Sequence, residues 1–272
     1  MRSSARAAAI AVAGLGLAAG ALLYKRHRDT YRCFPTRFGR ARIYQVLDDE
    51  GSPVRLLEVG GIVQSGTYLD ERYTEPVFAY LKGYDLMFRA DRPIRRVAVL
   101  GCGGYDYPEH LVAAHPEAAV DAVEIDPAIT ALARRYFFLD RLLEEYRPEE
   151  EGRLNLVEAD ALAFLLAPGP RYDAIVNDAF DGGTPPAHLA GRRFLQAVRS
   201  RLAPGGLYLT NIVAPLTGDG AGFLYHQMAL MGELFACVYV FPCDGGSLDE
   251  PDNIIAVATD RPLPSALAAR SL

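Results

Sequence analysis

The chain has 272 residues, 50% hydrophobic and 23% charged, the make-up of a folded globular protein rather than a disordered or fibrous one. A net charge of -6 supplies no overall basic field, which argues against a nucleic-acid partner. Cys33, Cys102, Cys237 and Cys243 form no CxxC pair and are too few for a disulfide scaffold, so a reduced compartment and no metal are expected.

Residues 1–28 differ from everything after them. Ala7 to Leu23 carries no charge and is rich in Ala and Gly, with Arg2 and Arg6 before it and Lys25, Arg26 and Arg28 after. As a helix this run spans roughly 26 Å, the lower edge of what crosses a bilayer. A cleaved signal peptide, with Ala19-Gly20-Ala21 as cleavage site, and a misassigned start are the competing readings. The basic cluster favours the first of the three: a single-pass membrane anchor with the rest of the chain cytoplasmic.

Residues 40–72 read as a small antiparallel β meander. Arg42–Leu47 and Val54–Val59 flank the turn Asp48-Asp49-Glu50-Gly51, and Gly60-Gly61 leads into Ile62–Ser65. So small a sheet is unstable alone and is expected to pack on the main body of the chain. Tyr73 to Leu81 is expected to be a helix that opens a larger domain, residues 73–262.

Residues 95–127 organise that domain. Val97–Leu100 is an apolar, partly β-branched run that stops at glycine, which predicts a buried strand. Gly101, Gly103 and Gly104 form a turn that tolerates unusual backbone angles and close ligand approach. Pro108 to His115 resumes at helical spacing with proline near its start, and Val120 to Ile125 is the next strand. Glu124 follows the turn by about twenty residues, where a carboxylate can accept both ribose hydroxyls of a nucleoside. Asp106 stands where the dinucleotide fingerprint has its third glycine, which favours a ligand without pyrophosphate, such as an S-adenosyl nucleoside.

Further strands are predicted at 154–160, 173–178, 206–211, 237–241 and 253–258, the last pair forming a hairpin. A helix is expected from Pro127 to Phe137 and a solvated charged run at 144–152. Strands alternating with helices mean an α/β fold: a doubly wound, mostly parallel Rossmann-like sheet with an antiparallel last strand. Three successive strands end in acids, Glu124, Asp160 and Asp178, and in such a sheet these ends converge on one crevice. One of them alone would read as a helix cap. Together they suggest a shared site, with Asp160 and Ala161 toward an adenine edge and Asp178 toward the reactive end, as base for an ammonium nucleophile. Asp181, three residues on, adds charge for a cationic substrate.

These residues resemble the spermidine synthase (polyamine aminopropyltransferase) family, whose catalytic domain has the class I S-adenosylmethionine methyltransferase fold. The likeness covers about residues 40–260 and rests on Tyr44-Gln45, Gly61-Ile62-Val63-Gln64-Ser65, Asp70-Glu71, Tyr73-Thr74-Glu75, Leu100-Gly101-Cys102-Gly103 and Glu124-Ile125-Asp126. Asp160-Ala161, Tyr172–Ile175 and Asp178, Asp181 and Pro185 continue it. The resemblance implies that Gln45, Gly101, Gly103, Glu124, Asp160 and Ala161 hold decarboxylated S-adenosylmethionine. It implies that Asp178, assisted by Tyr73, deprotonates a putrescine-like amine held by Asp181 and Gln64. No metal and no nucleic acid are implied, and a homodimer stays open. The chain departs from the family at Gly104, where an Asp usually binds the donor's amino group, at Asn211 for the usual Gln, and at Pro242-Cys243-Asp244 for Pro-Thr-Tyr. Asp106 is the candidate substitute for the missing acid. Gly104 also keeps a methyltransferase using intact S-adenosylmethionine in view, and a non-catalytic nucleoside-binding relative is the third reading.

Overall fold

In the computed structural model, which describes residues 32–180, 185–243 and 248–272, the apolar runs pair into two sheets. The first is a meander of four strands, β1 (Arg32–Thr36), β2 (Gly39–Leu47), β3 (Pro53–Val59) and β4 (Ile62–Tyr68), each antiparallel to the next. Strand β1 was not expected: it contains Pro35, which cannot donate to a ladder, and it is tolerated because β1 is an edge. The inward residues Ala41, Ile43, Val54, Leu57 and Val59 join the same apolar cluster as Val97 and Val99 of the second sheet. The meander therefore buries its inner face against the larger domain instead of standing alone.

The second sheet has seven strands, β5 (Arg96–Leu100), β6 (Ala119–Glu124), β7 (Leu154–Glu158), β8 (Tyr172–Asn177), β9 (Leu202–Ala214), β10 (Cys237–Pro242) and β11 (Asp252–Thr259), in the order β10-β11-β9-β8-β5-β6-β7. Only β11 runs antiparallel to its neighbours, β9 and β10. This is the doubly wound, mostly parallel sheet with a closing hairpin that the sequence predicts.

A short helix, α1 (Ala79–Gly83), joins the two sheets. Because side chains alternate across a strand, β5 serves two layers. Val97 and Val99 face the meander side, with helices α2 (Asp106–Ala114), α3 (Pro127–Tyr136) and α4 (Leu139–Tyr146). Ala98 and Leu100 face α5 (Ala161–Leu166), α6 (Arg192–Arg201) and α7 (Gly222–Leu234). The chain leaves β5 for β6 and β7 on one side and returns for β8 and β9 on the other, so the strand order reverses beside β5. That reversal opens a crevice at the carboxyl ends.

Two expectations are corrected. The helix expected over Tyr73–Leu81 exists only as the short α1, followed by a 3-10 turn, Tyr84–Arg89. Pro76 explains the late start, since it lacks an N–H and disfavours helical backbone at the residue before it. The expected membrane placement is withdrawn: no helix among the described residues is long and apolar enough to cross a membrane. The run Ala7–Leu23 on which that placement rested lies outside the described residues.

Gly101 shows how closely the turn is built. Its φ is +81°, and a Cβ there would lie 2.7 Å from Ala179 Cα and 2.8 Å from the Asp178 carbonyl oxygen. Gly101→Ala is therefore expected to destabilise the fold by more than the ~1–2 kcal/mol of left-handed backbone strain alone. The urea midpoint measures this, and an unchanged midpoint would mean that the turn does not press on the segment after β8.

Candidate active site

The register of the large sheet sets the site. Leu100 is paired with Val123 on one side and with Asn177 on the other. Gly101, Glu124 and Asp178, one residue further along each strand, thus leave the sheet at one level. They open onto a cavity of about 560 Å³, the size of a typical small-molecule site. Gly101, Gly103, Glu124, Asp160, Ala161, Asp178 and Gln64 all line it.

Glu124, the last residue of β6, ties the exits of β5 and β6 together. Its Oε2 accepts the N–H of Cys102 at 3.1 Å and of Gly103 at 3.3 Å, and its Oε1 accepts the Asp126 N–H at 2.9 Å. Burial raises its pKa, against the pull of these backbone donors. Each carboxylate oxygen can accept more than one hydrogen bond, so capacity remains for hydroxyls. Asp126 caps α3 by accepting from Ala128 N–H and also holds the Arg37 N–H, which ties the turn after β1 to the same corner.

Asp160 does two things at once. It caps α5 through the Ala163 N–H at 2.9 Å, and its Oδ2 lies 2.8 Å from His188 Nε2. Burial opposes ionisation, but the Ala163 N–H and the His188 ring outweigh it and hold the pKa below the ordinary carboxylate range. Ala161, with no bulk beyond Cβ, begins α5 beside it.

At the other end of the cavity lie two buried acids. Asp178 receives the Tyr80 hydroxyl on Oδ2 at 3.1 Å and the Tyr84 hydroxyl on Oδ1 at 2.9 Å. Burial pushes its pKa up to about 6, although both tyrosines and the Asn211 side chain favour the ionised form. Asp106 accepts the Gly66 N–H on Oδ2 at 3.0 Å, while its Oδ1 is buried without a hydrogen-bond partner among the described residues. Burial pushes Asp106 up to about 7, again against its backbone donors. A Cβ added to Gly104 would come within 2.8 Å of that Oδ1, so the Asp106 carboxylate fills the space into which a side chain at 104 would project. Ser65 completes the corner by accepting the Gly104 N–H at 2.6 Å.

Two expected site residues do not fall on the cavity wall, and a third lies outside the described residues. Tyr73 is turned away: its hydroxyl donates to Glu145 at 2.8 Å and its ring packs on Phe138. The chain between Tyr73 and α1 is not helical, and Tyr80 and Tyr84 take the position beside Asp178 instead. Gln45 is exposed on β2 opposite Arg55. It shares the phase of the buried Ala41 and Ile43, but the strand has run past the core by then. Asp181 lies outside the described residues. Sequence reading missed Tyr80, Tyr84, Ser65 and His188. The four-residue spacing of Tyr80 and Tyr84 was a usable signal, since it sets two hydroxyls on one side of a helical turn. His188 follows no strand end and gave none.

Strand order, crevice and cavity together define an α/β domain with the class I methyltransferase type of fold. Residues 87–217 match the family model of the Spermine/spermidine synthase domain. Over 185 residues it is 28% identical to the polyamine aminopropyltransferase of Vibrio vulnificus (strain CMCP6), covering 67% of this chain and 57% of that relative. The chain thus spans somewhat more than half the length of that relative. It is also 31% identical over 159 residues to the human eEF1A lysine and N-terminal methyltransferase, covering 54% of this chain and 21% of that one. Among solved structures, a probable spermidine synthase from Corynebacterium glutamicum ATCC 13032 superposes with a TM-score of 0.71 at 22% identity, covering 87% of this chain and 82% of that one. This last likeness establishes the fold.

The two raised acids make stability depend on pH. An ordinary Asp releases its proton near pH 3.9, whereas Asp106 keeps its proton up to about pH 7 in the folded state. Between those values the folded chain binds a proton that the unfolded chain has lost, so stability falls as pH rises through the window. Asp106→Asn should remove that penalty, being close to wild type near pH 4 and more stable by on the order of 2–4 kcal/mol near pH 8. Urea midpoints at the two pH values test this. A variant with the wild-type pH dependence would show that Asp106 is ionised throughout.

Proposed function

We propose that the protein is a polyamine aminopropyltransferase, moving an aminopropyl group from decarboxylated S-adenosylmethionine to a putrescine-like amine. The observation that carries this reading is the pair of buried carboxylates, Asp106 and Asp178, at the end of the cavity remote from Asp160. A decarboxylated donor ends in an ammonium, and Asp106 has an unpartnered oxygen to receive it. Intact S-adenosylmethionine would bring its own carboxylate toward these acids, which is unfavourable. Glu124 receives the ribose hydroxyls, and Asp160 with Ala161 receives the adenine edge.

The acceptor amine arrives protonated and cannot attack until it loses a proton. Asp178, with a pKa near 6, is ionised at neutral pH yet basic enough to take that proton within the water-poor cavity. The neutral nitrogen attacks the methylene carbon next to the sulfonium. The carbon–sulfur bond breaks with its electrons going to sulfur, which leaves methylthioadenosine as a neutral thioether. The new secondary amine departs with the remaining proton. Tyr80 and Tyr84 hold the Asp178 carboxylate in line, so the rate arises from alignment and from a positioned base. Gln64, on the cavity wall beside Tyr80 and Asp178, is assigned to the acceptor, and Asp181 is assigned to its distal charge.

The identity to the human methyltransferase favours a second reading, methyl transfer from intact S-adenosylmethionine, with Asp178 serving a lysine or terminal amine as acceptor. Calorimetry with decarboxylated and intact donor separates the two: tighter binding of the decarboxylated form is expected, and preference for the intact form would move the assignment to methyl transfer. Asp178→Asn keeps the size of the side chain and one acceptor oxygen but cannot accept a proton, so turnover should fall by roughly 10²–10⁴-fold with donor affinity nearly unchanged. The loss should shrink at alkaline pH, where more of the acceptor is already neutral. Wild-type turnover should rise with pH through about 6 as Asp178 ionises. Near-wild-type turnover of the Asn variant at neutral pH would remove Asp178 from the chemistry.

A further inference from the structure

Outside the cavity, one cluster of side chains has the chemistry of a metal site. Asp85 lies in the 3-10 turn that follows α1, His110 lies in α2, and His115 caps the carboxyl end of α2. One donor atom from each falls within 4.8 Å of the other two. His110 Nε2 stands 3.0 Å from Asp85 Oδ2. Around a tetrahedral ion with ~2.0–2.1 Å bonds, donor atoms lie about 3.3 Å apart, so the cluster needs a contraction of about 1.5 Å at most.

We infer that Asp85, His110 and His115 bind a divalent transition-metal ion, of the zinc, cobalt or nickel type, which clips the Tyr84–Arg89 turn to α2. Two imidazoles and one carboxylate are borderline ligands that favour such ions over magnesium or calcium. Three protein donors leave a coordination position for water. Solvent can reach the site, since the three side chains keep 15–25% of their exposure.

The surroundings are those a metal site needs beyond its ligands. The Tyr107 hydroxyl donates to Asp85 Oδ1 at 3.1 Å, which fixes the carboxylate by the oxygen that does not face His110. Phe88 stacks on the His115 ring at 3.4 Å between centroids and an interplanar angle of 3°, which sets that ring's plane. Glu117 Oε1 lies 3.5 Å from His115 Nδ1 and adds a second carboxylate near a dication. A solitary Asp85–His110 hydrogen bond would require neither a second imidazole within reach nor a tyrosine on the far oxygen.

The clip lies behind the reactive end of the cavity. Tyr107 lines that cavity and packs against Tyr84, whose hydroxyl holds Asp178. The ion would thus join the segment bearing Tyr84 to the helix that begins at Asp106, without touching substrate.

The test uses the untagged full-length chain, stripped by chelator and titrated with cobalt(II) and with zinc. Saturable binding near one ion per chain, visible cobalt d–d absorption and a higher melting temperature with zinc are expected. His110→Ala and His115→Ala should each abolish the absorption and the thermal shift, while His226→Ala, on the exposed face of α7, should retain both. Tyr107→Phe keeps every ligand and should weaken binding by about 10-fold or more. Absence of saturable cobalt binding by the wild-type chain would overturn the proposal, whether or not the variants fold. Binding that survives both His110→Ala and His115→Ala would overturn it equally.

Discussion

Glu124 is the constraint on which the rest of the site depends. Its carboxylate takes two N–H groups from the glycine turn and one from Asp126, so a single side chain fixes the exits of β5 and β6 together. The turn can be held this way only because glycine permits its backbone, with Gly101 at φ +81° and Gly103 at +51°. On the opposite side Gly101 touches the chain after β8, which brings Asp178 to the same crevice. A carboxylate that serves as structural acceptor and still faces the cavity accounts for the absence of a third glycine: nothing has to cradle a pyrophosphate. The placement of the Glu124 carboxylate and the shape of the turn are therefore one property.

The cavity is electrostatically polarised along its length. Asp160, near its mouth, is partnered by a helix N–H and a histidine and is held ionised. Asp178 and Asp106, deeper in, are pushed the other way by burial, to about 6 and about 7. A cationic ligand relieves that penalty, since an adjacent positive charge restores the ionised form of both acids. A positive charge placed between them would return the free energy that burial costs these two acids.

Much of this was legible in the sequence, and the remainder was hidden for physical causes. The strand–glycine–helix–strand–acid pattern of residues 95–127 is local chemistry, so β5, α2, β6 and the place of Glu124 follow from spacing alone. Asp160 and Asp178 follow from the rule that strand ends converge. The start of α1 did not, because Pro76 interrupts an otherwise helical run and moves the helix six residues on from Tyr73. That shift exchanges Tyr73 for Tyr80 and Tyr84 beside Asp178. Gln45 has the inward phase of its strand, and phase cannot reveal where a strand outruns the core. His188 reaches Asp160 through a segment with no periodic signal. Contacts between distant segments are set by tertiary packing, and no local pattern encodes them.

The departure at Gly104 is the clearest instance of compensation within one fold. A side chain at position 104 would meet the Asp106 carboxylate, with a Cβ 2.8 Å from its Oδ1, so Asp106 would have to swing aside to admit one. Asp106 sits in the first turn of α2, where the helix dipole favours a negative charge, and Gly66 on β4 donates to it from across the sheet junction. Reaching that position requires Tyr105 to adopt the left-handed conformation at φ 68°, a strain on the order of 1–3 kcal/mol for a non-glycine residue. The Tyr105 ring is buried and its hydroxyl pairs with Thr130, and together these offset the strain. The backbone thus bends to bring the Asp106 carboxylate to the cavity, and the meander is part of the device because Gly66 and Ser65 belong to it. An acid at the start of the helix couples the Asp106 end of the cavity to the small sheet, whereas the Glu124 end is built by the large one.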